Sequence, residues 1–74
     1  MEIKVGSKRN LFLARYGDID QLRQSLADED HEVRIAALSN SFADEVNYKI
    51  ALKDVDVRVR QAAEKLLASS NKTN

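Results

Sequence analysis

The chain has 74 residues, of which 43% are hydrophobic and 32% charged, with 12 Lys plus Arg against 12 Asp plus Glu and no Cys. This is too apolar for a disordered chain, and zero net charge removes any overall field toward DNA, RNA or anionic lipid. The lack of Cys excludes a disulfide framework and a thiolate metal site, and no apolar run is long enough for a membrane span or a signal-peptide core, so a soluble cytoplasmic domain is expected.

Charge is unevenly spread. Residues 1–16 carry Lys4, Lys8, Arg9 and Arg15 against Glu2, whereas residues 17–32 carry Asp18, Asp20, Asp28, Glu29, Asp30 and Glu32 against Arg23. At this length a fold buries only about 60% of the surface its unfolded chain exposes, so stability is expected to be a few kcal/mol.

Ile3 and Val5 show no helical period, and Gly6-Ser7 reads as a break followed by an N-cap. A first helix is expected over 8–16, apolar on most sides through Leu11, Phe12, Leu13, Ala14 and Tyr16, and ended by Gly17. Asp18, with Gln21 three residues on, forms a capping box for a second helix whose stripe is Ile19, Leu22 and Leu26. Asp30 caps a third, over 31–39. Its Val33, Ala36 and Ala37 share one face and Ile35 and Leu38 lie opposite, as suits a helix with neighbours on both sides. Asn40-Ser41 breaks the chain. Ser41 with Asp44 then gives another capping signature, and Phe42, Val46 and Ile50 follow at four-residue spacing on a fourth helix ending near Leu52. Asp56 caps a fifth, over 57–68, with Val59, Ala62, Ala63, Leu66 and Leu67 as its stripe; 69–74 reads as a frayed polar tail. The expected class is all-α, one helical domain over 1–68, with short connections that make sequential helices antiparallel neighbours.

One segment occurs twice. Leu26-Ala27-Asp28-Glu29-Asp30-His31-Glu32-Val33-Arg34-Ile35-Ala36-Ala37 returns as Leu52-Lys53-Asp54-Val55-Asp56-Val57-Arg58-Val59-Arg60-Gln61-Ala62-Ala63, and Arg34 to Arg60 is an offset of 26 residues. Such a period marks stacked supersecondary units, each unable to bury its apolar face alone. Opposite its stripe the second copy carries Gln61 and Glu64 beside Arg58, a polar outer face suited to the end of an array.

The pattern Leu-x-Asp-x-Asp-x-x-Val-Arg-x-x-Ala over 26–37 and 52–63 resembles the HEAT-like repeats of prokaryotic helical solenoids. The spacing from Val33-Arg34 to Asn40, and then Asp54, Asp56 and Val59-Arg60, is similar to the leucine-rich-repeat-variant family, which fits the 26-residue period better. An earlier, degenerate unit starts near Lys8, with Arg9 standing where Arg34 stands. The resemblance implies a short right-handed α-solenoid-like stack of about five antiparallel helices. It also implies that Asp28 with Arg34, and Asp54 with Arg60, bond within and between repeats as a structural ladder.

Asp28-Glu29-Asp30-His31-Glu32 has ligand-type side chains, yet the spacing fits no metal motif, and helix N-terminal acids account for Asp30 and Glu32. HEAT-like hydroxylases that hold two irons carry His-Glu pairs just after Val-Arg, where this chain has Ile35-Ala36 and where His31 is its only His. The HEAT-like bilin lyases are longer. With Gly6 and Gly17 the only glycines there is no phosphate loop, and no nucleophile has a His partner. The expectation is no enzyme activity, no cofactor and no metal.

The residues favour protein binding, as an adaptor or an inhibitor of a larger protein. Phe12, Tyr16, Ile35, Leu38 and Tyr48 are the candidate contacts and Arg58 a rim charge, with Tyr48 foremost because it lies off the Phe42-Val46-Ile50 stripe. Self-association through the apolar first helix is a further expectation. The alternative is nucleic-acid binding through Arg34, Lys53, Arg58, Arg60 and Lys65 with the basic N-terminal end; zero net charge, the absence of Trp and interleaved acids oppose it. If Arg60 is structural and Arg58 is not, Arg60→Ala lowers the melting temperature more than Arg58→Ala does; equal shifts in thermal melts contradict the ladder.

Overall fold

The computed structural model describes residues 5–70, with side chains over 8–69, and these form five α-helices and no strand. They are α1 (Val5–Tyr16), α2 (Ile19–Leu26), α3 (His31–Leu38), α4 (Glu45–Ala51) and α5 (Val57–Ser70). Helix starts repeat at the sequence period: Val5, His31 and Val57 are 26 residues apart, and so are Ile19 and Glu45. In this register the place of Arg34 and Arg60 falls on Lys8 in the first unit, not on Arg9.

Short polar side chains set the boundaries. Asp18 accepts from the Gln21 amide at 3.0 Å while Gln21 Oε1 accepts from the Asp18 amide at 3.3 Å. Asp30 caps α3 through the Glu32 amide at 2.9 Å, and Asp56 does the same before α5 through the Arg58 amide at 2.8 Å. At α4 the cap is Asp44, with Asn47 closing a capping box, so this helix begins at Glu45 and not at Ser41. The first helix starts at Val5 and runs through Gly6 and Ser7, where a break was expected; Ile3 lies outside the described residues. At the other end α5 continues to Ser70, so the expected tail is helical through 70, and 71–74 lie outside the described residues.

α3 packs on both α1 and α5, α2 covers α1 and α3, and α4 packs on α5. The result is elongated, 48 × 25 × 15 Å, with a radius of gyration of 12.4 Å. A compact chain of this length has about 11 Å. There are two cores, one on each side of α3. Ala14, Leu22, Val33, Ala36 and Ala37 form the first, and Leu38, Ala51, Val59 and Ala63 the second. The alanines keep the helices close, and Val33, Leu38 and Val59 are the largest fully buried side chains.

The fourth helix is turned relative to the sequence reading. Phe42, Val46 and Ile50, expected in the core, are 54%, 63% and 66% exposed. Tyr48 and Leu52 pack against the second core instead, with Ala51 within it. Superposing the units at their 26-residue offset shows why. Leu22, Ser25 and Leu26, which face inward from α2, correspond to Tyr48, Ala51 and Leu52, whereas exposed Asp20 and Gln24 correspond to Val46 and Ile50. Both stripes of α4 have helical spacing, and the repeat register decides which one is inside.

Asn40 joins the units. It is 3% exposed, its Nδ2 donates to the carbonyls of Ala14 at 2.8 Å and Gly17 at 3.1 Å, and its Oδ1 accepts from the Phe42 amide at 2.8 Å. One amide thus closes the C-terminus of α1 and turns the chain out of α3. Gly17 has no positive φ, but a Cβ there would run into the Leu13 carbonyl and the Gln21 side chain. Gly17→Ala and Asn40→Ala are each expected to cost about 2 kcal/mol, a fall of about 10 °C in melting temperature, through overpacking in one case and orphaned backbone groups in the other. Circular-dichroism melts of both variants check this.

Candidate interaction surfaces

The doubled acidic segment is occupied by internal bonds. Asp28 Oδ1 accepts from the Asp30 amide at 2.8 Å and Asp54 Oδ1 from the Asp56 amide at 2.9 Å, so both carboxylates tighten the turn that leads into a helix. Arg34 spans the units. Its Nε and Nη2 form a fork on Asp54 Oδ2 and Oδ1 at 2.9 and 3.1 Å, and its Nη1 donates to the carbonyls of Asp28 at 2.6 Å and Glu29 at 3.0 Å. Arg60 Nη1 donates to the carbonyl of Asp54 at 2.6 Å. Within a unit, therefore, Arg reaches the carbonyl of its Asp, six residues back; the carboxylate pairing runs between units, from Arg34 to Asp54. The expected partners Asp28 and Arg34, and Asp54 and Arg60, meet through the Asp carbonyls, the Asp28 carboxylate being turned toward its own helix start.

A second group of polar side chains lies beside the first. His31 Nδ1 is 3.8 Å from Asp30 Oδ1 and 3.9 Å from Asp56 Oδ2, and Arg58 forks onto Asp56 at 3.1 and 2.9 Å. The Arg58 bonds, with the Arg58 amide, hold the Asp56 carboxyl far below the usual carboxylate range and raise Arg58 in return. Arg58, offered as a rim charge, thus has its guanidinium on Asp56 while its side chain stays 61% exposed. Among the described residues no group of three or more His, Asp or Glu is arranged to hold a metal ion.

The candidate contact residues separate into two groups. Leu38 is 1% exposed and belongs to the second core, and Ile35 and Tyr48 pack against it; α3 has α5 on that side, and the phenol ring of Tyr48 takes the inward place of Leu22. These three are packing residues first, and Leu38 is out of reach of any partner. Phe12 and Tyr16 are 61% and 70% exposed, with ring centroids 5.0 Å apart and planes at 51°. Lys8, Arg9 and Arg15 are exposed on the same helix, whose sequence contains no acid. An i, i+4 aromatic pair ringed by cations is the strongest recognition feature among the expected residues.

The sequence reading missed the outer face of α4. Val46, Lys49, Ile50 and Lys53, with Val55 in the α4–α5 turn and Glu29 on the α2–α3 turn, line an open groove of about 770 Å³ over the Arg34–Asp54 pair. Val55 is 92% exposed. The signal was present: where the first unit has Asp20 and Gln24, the second has Val46 and Ile50.

Compared with protein-family models, with curated proteins and with solved structures, the chain matches none. No helix among the described residues is long and apolar enough to cross a membrane.

Arg34 and Asp54 are each only 14% exposed. Burial raises the pKa of Asp54, but the hydrogen bonds from Arg34 and the Asp56 amide and the charge of Arg34 together lower it by more. A depressed folded value means that the pair stabilises the fold above about pH 4 and that this contribution is lost as pH falls through the folded value. Arg34→Ala is expected to cost about 2–3 kcal/mol near pH 7, about 10 °C or more. The gap in melting temperature between the native chain and Asp54→Asn stays level from about pH 7 to pH 5 and closes below about pH 4; melts across this range test both.

Proposed function

We propose that the chain is a small protein-binding module, an α-solenoid fragment of HEAT-like or leucine-rich-repeat-variant type that acts in the cytoplasm as an adaptor or inhibitor. The 26-residue interval between helix starts and the row α1–α3–α5 support the solenoid reading. The observation that carries the binding reading is the exposed Phe12–Tyr16 pair flanked by Lys8, Arg9 and Arg15. Such a surface suits a protein that offers an apolar anchor with an acidic rim: the rings supply area at low conformational cost, and the cations set approach and register. Asp28, Asp30, Asp54 and Asp56 of the repeats serve as caps and bridge partners, which favours a binding role over catalysis.

The same helix face gives the second reading its support, because exposed aromatics among cations also stack and hold single-stranded nucleic acid. The two are separated by experiment. A tagged chain used in a pull-down with mass spectrometry is expected to retain a defined protein, and Phe12→Ala/Tyr16→Ala to weaken that capture by about a hundredfold with an unchanged melting temperature. Proteins retained equally by the native chain and the double variant overturn this surface. A low-salt gel shift with single-stranded oligonucleotide that the double variant abolishes favours nucleic acid instead.

A further inference from the structure

We propose that α4 is a homodimer face, on which two copies of the chain pair antiparallel about a twofold axis. The proposal is independent of the partner read from α1 and uses the other apolar surface of the molecule.

Three observations lead to it. Val46 and Ile50 line the outer side of α4 at four-residue spacing, each more than half exposed, with exposed Phe42 ahead of the helix start and Val55 in the turn after it almost wholly exposed. The apolar character is particular to this unit, since the equivalent positions of α2 carry Asp20 and Gln24. A face that merely completed the repeat would be polar in both copies.

The third observation identifies the occupant. Glu45, Lys49 and, one residue past the C-cap Leu52, Lys53 follow one another at four-residue spacing along a single edge of the stripe, and all three are exposed. In an antiparallel pair of helices the same edge of each meets its copy. The acid at the start of α4 then lies against the lysine at the end of its partner, and the arrangement occurs twice about the axis. Val46 of one copy meets Ile50 of the other, also twice. Glu45 and Lys53 thus complement each other twice across the axis, as an isologous interface requires, while Lys49 lies beside its copy at the axis. Glu29 lines the same groove as Lys49 and Lys53. A parallel pairing would set Glu45, Lys49 and Lys53 each against itself, three like-charge contacts where the antiparallel one has a single Lys49 pair.

A helix of 7 residues brings few side chains to such an interface, against the roughly 800 Å² per partner of a standard one, so the dimer is a weak one. Sedimentation equilibrium over a wide concentration range therefore reads it out, with melts to show that each variant folds. The native chain is expected to pass from monomer to dimer with rising concentration. Val46→Asp/Ile50→Asp weakens association by about a hundredfold. Glu45→Lys leaves one edge entirely basic and Lys49→Glu/Lys53→Glu leaves it entirely acidic, so each variant alone stays monomeric while their equimolar mixture forms a heterodimer. Phe12→Ala/Tyr16→Ala leaves dimerisation unchanged, which separates this face from the one on α1. A native chain that remains monomeric to about 1 mM overturns the proposal. So does a dimer that survives Val46→Asp/Ile50→Asp, or a mixture of the charge variants that fails to associate.

Discussion

Everything else in the fold is arranged around the guanidinium of Arg34. It leaves α3, takes the two carbonyls that end the α2–α3 turn, and places its fork on the carboxylate that begins the α4–α5 turn. Three segments separated in sequence are thereby held by one planar ion whose donors point in fixed directions. A lysine could supply the charge but not the geometry. The carboxylate it grips is doubly used, since Asp54 also orders the turn into α5. Position and local structure of the third unit are thus set by the same atom group.

Apolar packing follows the same division. α3 contributes Val33, Ala36 and Ala37 to one core and Leu38 to the other, and among the described residues no buried cluster reaches from α1 to α5. The two cores are joined through α3, and Leu26 packs against both. Polar links cross each junction as well: Asn40 between the first and second units, Arg34 between the second and third. At the place of Asn40 the following unit has Leu66, half-buried against the second core, so the amide link is used once and then replaced by an apolar contact.

Most of the helical frame was legible in the residues because it depends on local chemistry. Asp18, Asp30 and Asp56 mark helix starts through hydrogen bonds that reach only two or three residues, and those starts fall where they were expected. The start of α4 was displaced because Ser41 and Asp44 both offer an oxygen, and only Asp44 faces free amides. The orientation of α4 was not legible from periodicity, since Phe42-Val46-Ile50 and Tyr48-Ala51-Leu52 are both helical stripes; the inward one is chosen by contacts with α5 and the second core. Comparison of the two copies contained that information, because Tyr48 stands over Leu22. Of the candidate contact residues, Phe12 and Tyr16 are accessible, whereas Leu38 is closed off by a neighbour that only tertiary structure supplies.

The bond from Asn40 to Ala14 has a consequence for how the chain reaches this structure. It spans 26 residues, and the Arg34–Asp54 bond spans 20. Among the described residues no side-chain hydrogen bond joins positions farther apart than one repeat. The loops that must close during folding are therefore all of similar, modest length, and none has to wait for distant ends to meet. Docking of any adjacent pair creates a surface on which the next helix can settle, so assembly is free to begin at either core and spread in both directions. A chain this small would then acquire its shape quickly and by more than one route.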